Sequence, residues 1–224
     1  PDGSADRNVL ARGAIKKMLK AQPAPFMSKG AAGLVRPGNL EDDFRHVGEA
    51  DWIIEAVVED LAIKRKLYRL IDKSRKQGSI VSSNTSTLTA ESLTKGLPAA
   101  LAGDFVITHF FNPPRYMRLL ELIAGPRTRP EVVERMRNFC DRRLGQGVVV
   151  CHDTPSFIAN RIGQRAQILS NFRLFIRGKR LDLLDYFAGS HVGKIARNGK
   201  KNKLLSALRS PRRCCFGRGL FLAR

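Results

Sequence analysis

Seven residues, Trp52-Ile53-Ile54-Glu55-Ala56-Val57-Val58, constrain the fold more than any other stretch of this chain. Their side chains are almost continuously apolar, which is the pattern of a strand covered on both faces, and such strands belong to parallel sheets with helices above and below. The chain downstream keeps that rhythm. Asp60 is placed to cap a helix whose buried stripe is predicted to be Ile63, Leu67, Leu70 and Ile71, with Lys and Arg toward solvent and an end near Gly78. Residues 79–83 read as a strand, 89–95 as a helix, and 104–109 and 117–123 as strands. The next helix, over 130–144, has Pro130 in its first turn, Glu131 and Glu134 early, Arg142 and Arg143 late and Gly145 beyond. Residues 148–151 close the series as a strand, and residues 4–21 form a leading helix that stops at Gln22-Pro23-Ala24-Pro25.

Strands alternating with helices imply βαβ units and a doubly wound, mostly parallel α/β sheet. Ligands of such sheets bind beyond the carboxyl ends of the strands. Glu55 and Glu59, Asn84 and Ser86, and His109 and Asn112 fall at three successive strand ends. Loops are polar in any case, so position alone does not separate a binding edge from an ordinary surface.

The net charge of +20 would ordinarily point to a polyanionic partner, but it is unevenly spread. Residues 1–163 carry +7 and residues 164–224 carry +13. From Gln164 onward there is no Glu and no Trp, and the apolar periodicity is weak. The segment reads as an end that does not pack; the alternative is a non-catalytic, polyanion-binding arm. No nucleic-acid recognition module can be placed on it, so no specific nucleic-acid partner is expected. The cysteines Cys140, Cys151, Cys214 and Cys215 have neither metal-site nor disulfide-framework spacing, which favours a reducing compartment. No apolar run nears the roughly 18 residues of a membrane span and no export signal opens the chain, so a cytoplasmic location is expected. The first residue is not Met, and a shortened N-terminus is expected.

His109 and Glu121 lie on successive predicted strands with Asn112-Pro113-Pro114-Arg115 between them. If those strands are neighbours, the carboxylate fixes one imidazole nitrogen and stabilises the imidazolium, and the other nitrogen is free to take a proton from a substrate hydroxyl. A histidine at the end of an apolar run is also a common structural hydrogen-bonding residue, and spacing alone leaves both readings open. Ser82-Ser83-Asn84-Thr85-Ser86 offers hydroxyls and an amide at a strand end. There is no Gly-x-Ser-x-Gly elbow, which argues against a serine hydrolase. Asp153-Thr154-Pro155 is expected to open a helix with Thr154 as N-cap and Pro155 as its first residue, carrying Asn160 about a turn and a half in.

Five stretches occur in order: Asp51 to Asp60, Ser83-Asn84-Thr85-Ser86, His109-Phe110-Phe111-Asn112-Pro113-Pro114, Leu120-Glu121-Leu122-Ile123, and Asp153 to Arg161. In sequence and spacing they resemble the NAD-dependent L-3-hydroxyacyl-CoA dehydrogenase family, in particular the dehydrogenase part of bacterial multifunctional fatty-acid β-oxidation proteins. The resemblance covers most of residues 1–163 and implies an oxidoreductase that converts L-3-hydroxyacyl-CoA to 3-oxoacyl-CoA with NAD as cofactor. It implies His109 as the catalytic base, Glu121 as its partner, Ser86 and Asn160 on the substrate oxygen, and Ala56, Glu59, Lys64 and Asn84 near the dinucleotide. It further implies an acyl-CoA substrate, an enoyl-CoA hydratase region or subunit as partner, and a homodimer.

The departures from the family pattern are as specific as the matches. The family begins with a strand and a Gly-x-Gly-x-x-Gly turn; here Gly145-Gln146-Gly147 precedes a strand, and Gly30-Ala31-Ala32-Gly33 follows none. The expected architecture is an incomplete Rossmann-type sheet over 1–152, the start of a helical domain over 153–163, and a basic segment over 164–224. An uncovered sheet edge and a missing phosphate turn lead to the expectation of weak or absent turnover.

Overall fold

A computed structural model describes residues 6–164 and 219–223. Its elements are α1 (Val9–Lys20), β1 (Trp52–Ala56), α2 (Leu61–Ser74), β2 (Ile80–Ser83), α3 (Ala90–Thr94), α4 (Ala99–Gly103), β3 (Phe105–Phe110), β4 (Leu119–Ala124), α5 (Pro130–Arg142), β5 (Gly147–Cys151) and β6 (Gly219–Ala223). The strands form one sheet in the order β5-β4-β3-β2-β1-β6. Strands β1, β2 and β3 are parallel neighbours, β4 turns back antiparallel to β3, and β5 runs parallel to β4. This is the α/β, Rossmann-like sheet that the strand and helix alternation predicts. One compact unit takes in the chain to Arg161 together with β6.

Successive strand residues point to opposite faces, and both faces of the inner strands are covered, while Val149 and Val150 of the edge strand β5 are exposed. Ile53, Val81, Phe105 and Ile107 pack on one side with Leu67, Tyr68 and Ile71 of α2 and with Leu93 and Leu101. Trp52, Ile80, Val106, Leu120 and Leu122 pack on the other with Val132, Met136 and Cys140 of α5. The nearly unbroken apolar run of β1 therefore follows from its place between two helical layers.

Several expectations change. In α2 the residues facing the sheet are Lys64, Leu67, Tyr68 and Ile71, while Ile63 and Leu70 are 49% and 46% exposed. The helix is rotated so that a lysine and a tyrosine enter the interior, drawn there by the buried Glu55 carboxylate. Asp60 is the cap, its side chain accepting from the Ile63 N–H, and α2 ends at Ser74, before the left-handed Gly78. Helix α1 forms but buries no residue. Thr154 and Pro155 do not open a helix: residues 155–158 form a turn, and helix begins at residue 159. Glu55 and His109 are the next-to-last residues of β1 and β3.

The free edge expected beside β1 is covered. β6 pairs with it antiparallel from Trp52↔Ala223 to Ala56↔Gly219. Apart from this strand and Gln164, the basic segment expected over 164–224, and with it the polyanion-binding alternative, lies outside the described residues. Among the described residues no helix is long and apolar enough to cross a membrane.

Candidate active site

The return of β4 beside β3 builds the centre of the site. Because the two strands run antiparallel, the start of β4 lies beside the end of β3, and His109 is the direct partner of Glu121 in the ladder. Their side chains meet at 2.7 Å, from His109 Nδ1 to Glu121 Oε2, with only 6% and 1% of the two residues exposed. The other oxygen, Glu121 Oε1, accepts the backbone N–H groups of Ile158 at 2.9 Å and Ala159 at 2.8 Å. The carboxylate thus orients the imidazole and caps the helix that follows. Burial pushes the Glu121 carboxyl up, but the bond to His109 and the two N–H groups outweigh it and hold the group below the ordinary glutamate range.

Ser156 and Phe157, just before that helix, adopt left-handed backbone with φ of 64° and 47°. Non-glycine residues rarely occupy this region, so the turn depends on its surroundings to hold it. One support is the Glu121 cap, and another is burial of the Phe157 ring, whose centroid lies 5.7 Å from His109. Phe111 packs on the imidazole as well, at 4.7 Å. The same turn delivers Asn160, whose Nδ2 donates to the backbone oxygen of Ser86 at 3.2 Å. Asp153 caps a different helix from the one expected nearby. Its two oxygens accept the N–H groups of Ala90 and Glu91 at the start of α3, at 2.6 and 2.8 Å.

A second cluster lies at the ends of β1 and β2. Glu55, fully buried, receives Lys64 Nζ and the Val57 N–H on Oε1, both at 2.7 Å, and the hydroxyls of Tyr68 at 2.6 Å and Ser83 at 2.7 Å on Oε2. The Tyr68 hydroxyl is held well above the ordinary phenol range by burial and by the Glu55 charge. Lys64, 1% exposed, also lies 3.3 Å from Glu59. Glu59 is more open and takes hydrogen bonds from the hydroxyls of Thr85 and Thr87. Burial pushes its carboxyl up, yet the Thr85 hydroxyl and the Lys64 charge hold it below the ordinary range. Asn84 Oδ1 accepts the Phe110 N–H at 3.0 Å, which ties the end of β2 to the end of β3.

The structure brings His109, Glu121, Ser86 and Asn160 into one group and Ala56, Glu59, Lys64 and Asn84 into a neighbouring one along the carboxyl edge of β1, β2 and β3. Lys64 departs from the expectation that the lysines of α2 face solvent, since its ammonium is below the surface and paired with two carboxylates. The sequence reading missed the bonding role of Glu55, the partnership of Tyr68, and the packing of Phe157. A charged residue inside an apolar strand, followed by Lys64 and Tyr68 four positions apart on one helix face, was the available signal. Two recesses, of about 320 and 370 Å³, are lined respectively by residues that include Asp104 and Arg129 and by residues that include Glu91 and Arg127; neither contains the acid–base pair. The thiols of Cys140 and Cys151 are pushed up by burial to about 12 and about 11, so they are not nucleophiles at neutral pH.

Residues 2–154 match the family described as "3-hydroxyacyl-CoA dehydrogenase, NAD binding domain". A "Probable 3-hydroxyacyl-CoA dehydrogenase" of Bacillus subtilis is 44% identical over 193 residues, 86% of this chain and 24% of the relative. A "Putative fatty acid oxidation complex trifunctional enzyme" of Rickettsia felis is 44% identical over 160 residues, 71% of this chain and 22% of that protein. Among solved structures, 3-hydroxybutyryl-CoA dehydrogenase from Escherichia coli K12 superposes with a TM-score of 0.56 at 26% identity, covering 68% of this chain and 32% of the other. The chain thus spans about a quarter of the length of these two curated relatives. With the family match covering more than half of its residues and falling on the NAD-binding domain, this chain belongs to the 3-hydroxyacyl-CoA dehydrogenase family.

Proposed function

We propose that the site serves oxidation of the 3-hydroxyl of an L-3-hydroxyacyl-CoA, in fatty-acid β-oxidation, with His109 as general base. The observation that carries this reading is the buried 2.7 Å pairing of His109 Nδ1 with Glu121. With Nδ1 held as the donor, Nε2 is the nitrogen that accepts the substrate proton, and the carboxylate stabilises the imidazolium that forms. The Ser86 hydroxyl and the Asn160 amide hold the substrate oxygen, and the bond from Asn160 to the Ser86 backbone keeps the two together. Phe111 and Phe157 flank the imidazole and keep water from its faces.

Bound at the strand ends, NAD supplies the acceptor for the hydride lost from C3. The residues present fit one part of that molecule. Glu59 offers a carboxylate for a ribose hydroxyl, Asn84 an amide beside it, and Ala56 a small side chain that permits close approach. No Gly-x-Gly-x-x-Gly follows a strand in this sequence, so these residues fit the nicotinamide riboside end and leave the pyrophosphate without its glycine turn. Weak cofactor binding and low turnover by this chain follow. The Rickettsia relative is described as a trifunctional enzyme of a fatty acid oxidation complex, which supports further catalytic regions in the whole protein; an enoyl-CoA hydratase region is the partner proposed among them.

Saturation-transfer NMR of NADH with the purified chain, together with long incubations of 3-hydroxybutyryl-CoA and NAD analysed for 3-oxoacyl-CoA, tests the reading. Saturation stronger on the nicotinamide riboside protons than on adenine is expected, with slow product formation that His109→Ala abolishes. Saturation centred on adenine, or product formation unchanged by His109→Ala, would overturn it.

A further inference from the structure

We infer that Glu55 is a positioning residue for the cofactor side of the site, holding in place the two loops that present Glu59 and Asn84. The inference rests on the functional reading above, and it concerns a residue that touches neither substrate nor cofactor.

The geometry is specific. Glu55 is 0% exposed, and a carboxylate so placed is tolerated only when its oxygens are occupied by donors. Four donors reach it from three parts of the fold: Lys64 and Tyr68 from α2, Ser83 from the end of β2, and the Val57 N–H from the loop leaving β1. The backbone oxygen of Glu55 also accepts the Asn84 N–H at 2.8 Å. Both loops at the ligand-facing edge therefore close on this one residue. The loop from Val57 to Asp60 is anchored through the Val57 N–H, and the loop after β2 is anchored through Ser83 and Asn84. Ser83 Oγ in turn accepts the Thr85 N–H at 3.3 Å, and the Thr85 hydroxyl reaches Glu59.

Charge explains why a carboxylate is needed. Lys64 bridges Glu55 and Glu59, so one buried ammonium faces two carboxylates. With Glu55 satisfying Lys64 inside, the half-exposed Glu59 keeps the negative charge and the outward acceptor that a ribose hydroxyl requires. If Glu55 becomes neutral, Lys64 retains Glu59 as its only charged partner and draws that carboxylate inward. The same change weakens the hold on Ser83 and Val57, because hydrogen bonds to an ionised acceptor are the stronger ones.

Glu55→Gln tests this in the full chain, since glutamine preserves size and one acceptor oxygen. Amide hydrogen exchange without any ligand is expected to speed up about tenfold or more at Val57 and Thr85, with β4 residues Leu122 and Ile123 unchanged. NADH affinity is expected to fall about tenfold while affinity for 3-hydroxybutyryl-CoA holds. Unchanged exchange at Val57 and Thr85, or acceleration spread evenly through the sheet, would overturn the inference. If Glu55→Gln fails to fold, Tyr68→Phe removes one donor without altering charge. It should give the same local pattern at about threefold, and no effect there overturns the inference equally. Failure of the wild-type chain to bind NADH would sink the functional reading, leaving the ligand-free exchange pattern to decide the role of Glu55 alone.

Discussion

Glu121 divides its two oxygens between His109, at 2.7 Å, and the backbone N–H groups that start the helix carrying Asn160. The pairing is set by backbone register, because the two residues are ladder partners across β3 and β4. Orientation of the His109 imidazole and placement of the Asn160 amide against the Ser86 backbone therefore depend on one side chain.

Glu121→Gln separates the electrostatic part of that role from the shape. The variant should fold, since an amide oxygen still accepts hydrogen bonds, but the Nδ1-protonated tautomer loses its charged acceptor. Nitrogen-15 NMR of the His109 ring should show mostly one tautomer in the wild type and a mixture in the variant. Any NADH-forming activity should drop by about 100-fold, within the range that general acid–base catalysis contributes. An unaltered ring spectrum would show that the carboxylate does not set the tautomer.

The same carboxylate makes stability depend on pH on the acid side. The folded form holds Glu121 below its ordinary value of 4.5, so the unfolded chain binds the proton first as pH falls. Its contribution is complete above about 4.5 and is lost as pH drops through the depressed value. Glu59 is lowered in the same sense. In urea unfolding at pH 7 and at progressively lower pH, the wild type should lose stability more steeply below 4.5 than Glu121→Gln does. Parallel pH profiles would contradict the sign.

Much of this architecture is legible in the sequence because burial on both faces leaves a strong trace. The runs at β1, β3 and β4 are apolar almost throughout, and α5 carries proline, acid, base and glycine where a helix of that polarity places them. The His109–Glu121 pair is legible as a spacing, and the antiparallel return of β4 turns that spacing into contact. What is not legible comes from tertiary competition. Ile63 and Leu70 are apolar and at helical spacing, yet the need of buried Glu55 for donors puts Lys64 and Tyr68 inside instead. Thr154 and Pro155 have the composition of a helix start, but the Glu121 cap sets the start at residue 159 and leaves a left-handed turn before it. β6 has five residues and no partner nearby in sequence, so its pairing with β1 gives no local signal.

Asp153 gives a prediction about stability rather than chemistry. Its carboxylate accepts two N–H groups at the start of α3 from 62 and 63 residues away, so it fastens the turn before Phe157 to the helix after Ser86. Loss of a cap of this kind costs about 1 kcal/mol, with a spread of roughly 0.5–2. Asp153→Ala should lower the melting temperature by about 2–4 °C, as a domain of this size responds to such a change. Asp153→Asn, which keeps one acceptor, should recover about half of that loss. Equal melting temperatures for wild type and Asp153→Ala would mean that these bonds add nothing net.

The pairing of β6 with β1 gives the last prediction. A parallel β1 buried between helices has unpaired N–H and C=O groups along any uncovered side, and an apolar edge of this kind is a template for pairing with another chain. β6 occupies that edge across all five residues of β1. A chain ending at residue 218 should therefore fold less stably and self-associate at micromolar concentration, seen as a growing large-particle fraction in light scattering. Replacing Phe221, the partner of Ile54 in the ladder, with proline removes one backbone donor and should act in the same direction, less strongly. Because β6 lies far from His109 in the sheet order, the ring spectrum of His109 should not move in the soluble fraction of either variant. A truncated chain that stays monomeric with unchanged stability would mean that β6 does not protect this edge in solution.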